Sequence, residues 1–538
     1  MTKKTLFYNG QIITVNKNND IAEAILIEDD RISCVGKTVE ALRLADKYTE
    51  WIDLKGCAVL PGFIDCHIHM AVAGAKITNQ VDVSKKAGVT TVAHLLDKIK
   101  GAVSGVGDGE WIIGSSYSHE GLDERRHITK EELDSVSPDN PVLIIHTSGH
   151  MSVANSRAFE SSALDLALEG VIKDDRGNPT GLLQETAHFV ILEKSPVLPT
   201  DEELVSGIEK FCKKLATRGI TSAHDAGGYG TATFRTLQQA AEKGVLSCRT
   251  YPMLWTLFGK QTQIETAKNA LKGGFYSGLG NDLLKIGPIK LMIDGSAVGG
   301  TCATTKPVAH LDDVTKPTFT QDEIDEIFIE GHRRGFQLTA HAVGDRAIEM
   351  VLNAYEKAMT LYPRENPRHR IEHCFLCTPE LVKRIKALGV IPIPNPGFLS
   401  VWGGVFDKYY SDRIENVIPL KDFRDEGIIS PFGSDAMVIE EYEPIFGIAA
   451  AMERRDLKSG RYINREQKID LMHAIRCYTY YGAYASFEEN EKGSLAAGKL
   501  ADMVVLSDSL LGKSPDEIRK LKVKETYLGG KRVFYAKN

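Results

Sequence analysis

Hydrophobic and polar positions change rhythm twice along the chain. Residues 1–58 carry short apolar or alternating runs, TLFYNGQIITV, AEAILIEDDRISCVG and TEWIDLKGCAVL, broken by turn residues at NG and EDD. Alternation of period two between such breaks predicts β-strands. The far C-terminus has the same texture in ADMVVLSD and in VKETYLGGKRVFY, with a GG turn. Two β-rich ends around a long middle predict one small sheet domain built from residues 1–58 and 488–538. Two separate β caps are the alternative.

The middle alternates helix and strand with a regular beat. Helical patterns at 201–218, 233–243, 262–272, 321–334, 345–361 and 379–388 each precede a strand-like run, at 220–225, 249–255, 284–293, 336–341, 369–374 and 390–394. A last run at 428–433 precedes a helix from about residue 442 to 452. Such alternation implies parallel strands joined by right-handed crossovers. With FID before His67 the strands number eight, which closes a (β/α)8 barrel. An open doubly wound sheet would need a Gly-rich phosphate loop after its first strand, and no GxGxxG follows FID. The predicted fold is therefore α/β, with a barrel made of residues 59–70 and 201–487. Residues 71–200 are too long for a structureless loop and hold their own strand-like runs, EWIIGSSYS and NPVLIIHTS, with helical pieces at 129–135 and 155–166. They read as an α/β lid inserted after the first barrel strand, on the face where barrels carry their active sites.

Composition narrows the partners. The 538 residues are 43% hydrophobic and 25% charged, typical of a globular protein with two to four structural units. A net charge of −7 leaves no nucleic-acid footprint. The N-terminus lacks the apolar core of a signal peptide, and no run approaches the ~18 apolar residues of a membrane span. Nine scattered cysteines fit a reducing compartment. The expectation is a cytoplasmic protein acting on a small molecule, with no nucleic-acid or membrane partner, and a homodimer left open.

Barrel enzymes draw their chemistry from the C-terminal ends of the strands. The first strand ends in His67 and His69, two residues apart and so on one face. The fourth carries Lys290, the fifth ends in His341, the sixth in His373 and the eighth in Asp435. Nitrogen and carboxylate groups of this kind suit Zn²⁺ and related divalent ions. Each has a plainer reading alone: a core histidine, a snorkelling lysine, a helix-capping aspartate. Their joint arrival at independently counted strand ends favours a metal site.

That set of residues resembles the amidohydrolase superfamily. The motifs LPGFIDCHIHM, SGHMSVANSRAF, IKLMIDGS, AHAVGDRAIEMVL, RIEHC, PFGSDAMV and GSLAAGKLADMVVLSDS resemble its YtcJ-like branch, the amidohydrolase 3 family. The resemblance covers nearly the whole chain. It implies a barrel, a β-sandwich formed by both termini and an α/β unit inserted after strand 1. It further implies that His67, His69 and Asp435 bind one metal and that His341 and His373 bind a second. Lys290 would bridge two ions once carboxylated, since an ammonium has no acceptor and a carbamate has two anionic oxygens. Zn²⁺, as one or two ions, would lower the pKa of bound water from about 15.7 toward 7, giving hydroxide. Asp435 would carry the proton to the leaving amine.

The expected reaction is hydrolysis of a non-peptide amide or formamide-like carbon–nitrogen bond. N-substituted formamides are the first substrate class, by resemblance to a deformylase of this branch. His150 of SGHMSVANS matches a family signature and is expected to touch substrate or support the transition state; a structural hydrogen bond is the alternative. Asp294 of DGS is grouped with the substrate-binding residues, orienting a neighbour or the loop. Phe398 and Trp402 of PGFLSVWGG are expected to line an apolar substrate pocket, or only to pack. An adenosine-deaminase-type site would carry Glu where Gly344 stands. Other deaminases or cyclic amidases of the superfamily are the alternative enzymes. A non-catalytic scaffold would show gaps in the ligand set, and the sequence has none.

Overall fold

A computed structural model describes residues 3–195, 199–309, 313–436, 438, 439 and 441–537. Both ends of the chain enter one six-stranded sheet, in the order Lys531–Tyr535, Val523–Leu528, Met503–Leu506, Ala58–Pro61, Gln11–Ile13, Ile21–Ala22. The two halves meet where Met503–Leu506 pairs antiparallel with Ala58–Pro61. A second sheet, Arg31–Gly36, Ala24–Glu28, Lys4–Tyr8, Glu50–Asp53, lies against it. Phe7, Ile25 and Ile27 from one sheet share a buried cluster with Val59, Met503 and Val505 from the other. Alternate residues on each strand supply this core, the arrangement of a β-sandwich. Ala58–Pro61 carries the sheet past the expected boundary at residue 58.

The middle of the chain supplies parallel strands in two arcs. The first joins β1 (Phe63–Ile68), β2 (Ile220–Asp225) and β3 (Arg249–Thr250). The second joins β4 (Ile289–Met292), β5 (Leu338–Ala342), β6 (Arg370–His373) and β7 (Ile391–Ile393). Helices follow most of them and bury an apolar face on the strands. Phe328, Ile348 and Val351 pack with Ile289, Leu338 and Ile371. Helix Asp201–Ala216 opens with a capping box between Thr200 and Glu203 and an acidic first turn.

Two expected strands depart from regular geometry. The run at 249–255 is a ladder for only two residues, because Pro252 has no N–H to give. It still hydrogen-bonds both ways. Tyr251 N and Met253 N donate to β2 at Ala223 and Asp225, and Leu254 N donates to Pro288 O beside β4. The run at 428–433 is not a strand, since Pro431 and Gly433 interrupt it. Irregular bonds replace the ladder. Cys66 N donates to Phe432 O, Asp435 N to His67 O, and Gly433 N to Pro394 O. A Cβ at Gly433 would lie 2.4 Å from that of His67, so only glycine lets this segment approach β1.

The inserted segment forms a mixed six-stranded sheet, Val171–Lys173, Pro179–Gln184, Met151–Ala154, Val142–His146, Ile112–Tyr117, Val81–Asp82. It begins later than the expected residue 71. Met70–Asn79 is a helix that packs on Asp201–Ala216, where Gly74 and Gly207 bring the two backbones together. No helix among the described residues is long and apolar enough to cross a membrane, and all nine cysteines are free.

Candidate metal centre

The structure gathers His67, His69, His341 and His373 at the ends of parallel strands, with Lys290 inside β4 and Asp435 on the irregular segment after Gly433. His67 Nε2 and His69 Nε2 lie 3.5 and 3.6 Å from Asp435 Oδ1. Donor atoms of His67, His373 and Asp435 all fall within 4.8 Å of one another. The rings of His341 and His373 are 4.5 Å apart, so His373 stands between the two halves of the cluster.

What each histidine does with its other nitrogen decides the chemistry. His67 Nδ1 meets Glu372 Oε2 at 2.5 Å, and His69 Nδ1 meets Gly227 O at 2.7 Å. His373 Nδ1 meets Asn395 Oδ1 at 2.8 Å, and His341 Nε2 meets Gly295 O at 3.0 Å. The Asn395 orientation is set by its amide nitrogen, which donates to Gly433 O. Two of these partners are carbonyls, one is an amide oxygen and one a carboxylate held by other donors. Each accepts, so the ring nitrogen facing it carries the hydrogen. The opposite nitrogen of each ring is left as a lone-pair donor. His67 Nε2 has no hydrogen-bond partner although it is buried. Burial pulls His69 and His373 down to about 4 and His67 and His341 well below the ordinary value, so all four rings are neutral at pH 7.

Glu372 is itself pinned. Arg370, fully buried, donates to both of its oxygens at 2.9 and 3.1 Å, and Thr339 Oγ donates at 2.5 Å. The guanidinium neutralises the carboxylate, so Glu372 fixes the orientation of His67 without charging it. Lys290 Nζ donates to Ala226 O at 3.1 Å and lies 4.3 Å over the Trp255 ring. Burial lowers it to about 8. Asp435 is raised by burial, against the opposing charges of His69 and Lys290. His373, Cys374 and Asp435 have left-handed backbones, φ of 68°, 44° and 57°. Each costs about 1–2 kcal/mol in a residue with a Cβ, a strain that gathers at functional sites.

His150 comes in from the inserted segment. Its Nδ1 meets Glu185 Oε2 at 3.0 Å, and Glu185 N donates to His150 O at 2.9 Å. Thr301, in the loop after β4, donates to the other Glu185 oxygen at 2.5 Å. Burial opposes charge on His150, but Glu185 outweighs it and raises the imidazole above its ordinary value. Glu185 has a left-handed φ of 41° at the start of helix Glu185–Lys194.

Two cavities meet at this cluster. The larger, about 130 Å³, is walled by Phe189, Tyr229, Trp255, Leu257 and Phe258. The smaller, about 40 Å³, takes in Phe398 and Trp402. Asp294 lines neither. Its carboxylate accepts from the backbone N–H groups of Ala303, Val343 and Gly344, while burial pushes it up to about 7. The substrate contact expected of Asp294 gives way to support of the loops around His341. Sequence reasoning missed Glu372, Arg370, Asn395 and Glu185. Of these, Arg370 and Glu372 carried a signal, as members of the RIEHC motif that ends β6.

Imidazoles from strand ends and the Asp435 carboxylate meet at the floor of a cavity. The chain belongs to the amidohydrolase family, whose model matches residues 50–534. The chain is 29% identical to YtcJ of Bacillus subtilis (strain 168), over 99% of each protein. It is 27% identical to the N-substituted formamide deformylase of Arthrobacter pascens, over 98% of this chain and 97% of that one. In fold it is similar to the crystal structure of an uncharacterized metal-dependent hydrolase from Pyrococcus horikoshii, with a TM-score of 0.77 at 24% identity, covering 96% of this chain and 99% of the other. The family expected from the motifs is the family found.

Proposed function

We propose that the protein is a metal-dependent hydrolase of non-peptide carbon–nitrogen bonds, amides or formamides, and that it works with zinc or a similar divalent ion. One observation carries the reading. Four histidines, three buried and His69 partly so, each commit one ring nitrogen to an acceptor and leave the other as an unprotonated donor, with those of His67, His69 and His373 beside Asp435. That is the preparation a metal-ligating imidazole needs.

His67, His69 and Asp435 would hold one ion, with His373 beside them, and His341 with His373 would serve a second. A bound ion supplies polarisation of the scissile carbonyl and acidification of water. Asp435 lines both cavities, takes a proton from the attacking water and returns it to the departing nitrogen. Burial strengthens its hold on that proton. His150, steadied by Glu185, donates toward the carbonyl oxygen as negative charge grows there. Lys290, lowered to about 8, offers the neutral amine that reacts with carbon dioxide, and its carbamate would bridge two ions. A one-ion site has its own support, since the uncarboxylated amine is already accommodated by Ala226 O and the Trp255 ring.

The two parallel arcs read as one closed (β/α)8 barrel. The hydrogen bonds through Leu254 on one side and through Phe432, Gly433 and Asp435 on the other support closure. Deamination of the adenosine-deaminase type is disfavoured sterically as well as by sequence. A Cβ at Gly344 would fall 1.9 Å from Ala303 O, so the position takes no side chain.

The Arthrobacter relative is named for N-substituted formamides, which makes them the first substrates to try. Zinc-loaded protein is expected to release amine and formate from an N-alkylformamide, and a chelator is expected to stop it. Failure to retain any ion after zinc supplementation would overturn the reading.

A further inference from the structure

We propose that the substrate carries an uncharged apolar group on each side of its scissile carbon–nitrogen bond, a short acyl chain on one side and a bulkier group on the other, which makes the protein a better hydrolase of short-chain N-acylamines than of formamides. The inference rests on the hydrolase reading above and specifies its substrate. It comes from the two cavities. His150, His341, His373 and Asp435 line both, so the reacting carbonyl belongs at their junction. The two halves of a bound amide then leave that junction in different directions.

The chambers differ in size, about 130 Å³ against about 40 Å³, so the smaller has room for a short chain of a few heavy atoms and the larger for a bulkier group. A formyl group presents only hydrogen on its carbonyl side and needs no chamber. The smaller chamber is walled by Val298, Val343, Phe375, Phe398, Trp402 and Ile418. Its walls are braced. The Phe398 and Trp402 rings lie 4.9 Å apart, and Phe375 stands edge-on to Phe406 at 4.6 Å.

Among the described residues, every ionisable side chain on this chamber is one of the four at the junction. Asn395, its one amide, is committed to His373 and Gly433. A charged group there would be buried without a partner, a costly arrangement. The group that fits is neutral and apolar. Water supplies hydroxyl to the acyl carbon and hydrogen to the nitrogen as the C–N bond breaks, giving a carboxylic acid and an amine.

The test uses the full-length zinc-loaded protein and N-phenethyl amides bearing formyl, acetyl, butanoyl and hexanoyl groups. The expected kcat/KM rises along the series by about fourfold per methylene until the smaller chamber is full. Narrowing that chamber with Val298→Phe is expected to collapse the butanoyl-to-formyl ratio. Widening it with Trp402→Ala is expected to move the optimum to a longer chain, which tests the same wall should the first variant fold poorly. A series that falls from formyl onward, with the formamide turned over, would overturn the two-chamber inference and leave the hydrolase reading standing. A rise that neither variant alters would also overturn it. No turnover of any member by metal-replete protein would overturn both.

Discussion

The floor and the roof of the site use the same residue type in opposite ways. On the floor, four histidines at strand ends are held neutral by burial, and the one that faces a carboxylate, His67, faces one already paired to Arg370. On the roof, His150 faces Glu185, which meets the Thr301 hydroxyl and His150 itself, and the imidazole is raised instead. A neutral imidazole offers a lone pair, and a protonated one offers a hydrogen. The contrast supports the proposed division of metal holding on the floor and carbonyl recognition on the roof. It also separates their origins, since the floor comes from the parallel strands and the roof from the inserted segment.

The contrast breaks most visibly at Asp435. Asp435→Asn keeps the shape of the group and removes its proton exchange, so kcat is expected to fall by roughly a thousandfold. Full turnover by this variant would remove the proton-shuttle role. Glu372→Gln acts on the floor one step further out. Metal affinity, read by competition with a chromogenic chelator, is expected to drop roughly 10–100-fold. Glu185→Gln acts on the roof alone, with kcat expected to fall about tenfold while zinc content holds. If Glu185→Gln strips the metal as well, floor and roof are not separate devices.

The smallest effect is on stability. In the metal-free fold His69 and His373 sit at about 4, against about 6.5 in an unfolded chain. Between those values the unfolded chain binds more protons, so stability falls as pH falls through that window and is unaffected by these groups above it. His150, shifted the other way, stabilises below about 6.5 and loses that contribution as pH rises through its folded value. Buried carboxylates act in the same direction as His150: Asp65, Asp225 and Asp294, each pushed up to about 7, and Asp435, raised by burial, bind protons in the fold that the unfolded chain lacks, and so stabilise it on acidification. The His150 part is read by difference: in thermal melts of metal-free protein, Glu185→Gln should lower Tm at pH 5 relative to pH 7 when compared with the unsubstituted protein. An unchanged pH dependence of Tm in Glu185→Gln would contradict the raised imidazole.

The floor was legible because its ligands lie at strand ends, where repeated strand–helix alternation marks a common face. Asp435 was legible from its place after the last apolar run, although Pro431 and Gly433 keep that run from forming a ladder. Glu372 escaped because neighbours on a strand point to opposite faces. The left-handed turn at His373 and Cys374 breaks that alternation and lets both side chains serve one site. Glu185 escaped for a different reason. Its partners, His150 and Thr301, are remote in sequence, and nothing in the pattern announces a left-handed residue at a helix start. Asp294 was grouped with the substrate-binding residues and read as orienting a neighbour or the loop, and its three backbone donors, Ala303, Val343 and Gly344, fit the second part of that reading. Asn155 starts helix Ser156–Ser162 as a cap, accepting from Ala158 N.

The central claim is that the floor histidines converge with Asp435 on a metal ion. Anomalous diffraction from zinc-loaded crystals tests it most directly. The account predicts a peak about 2.0–2.2 Å from His67 Nε2, His69 Nε2 and an Asp435 oxygen, the distances of zinc to imidazole and carboxylate. A fully loaded crystal with its zinc elsewhere, and none against these three residues, would contradict it.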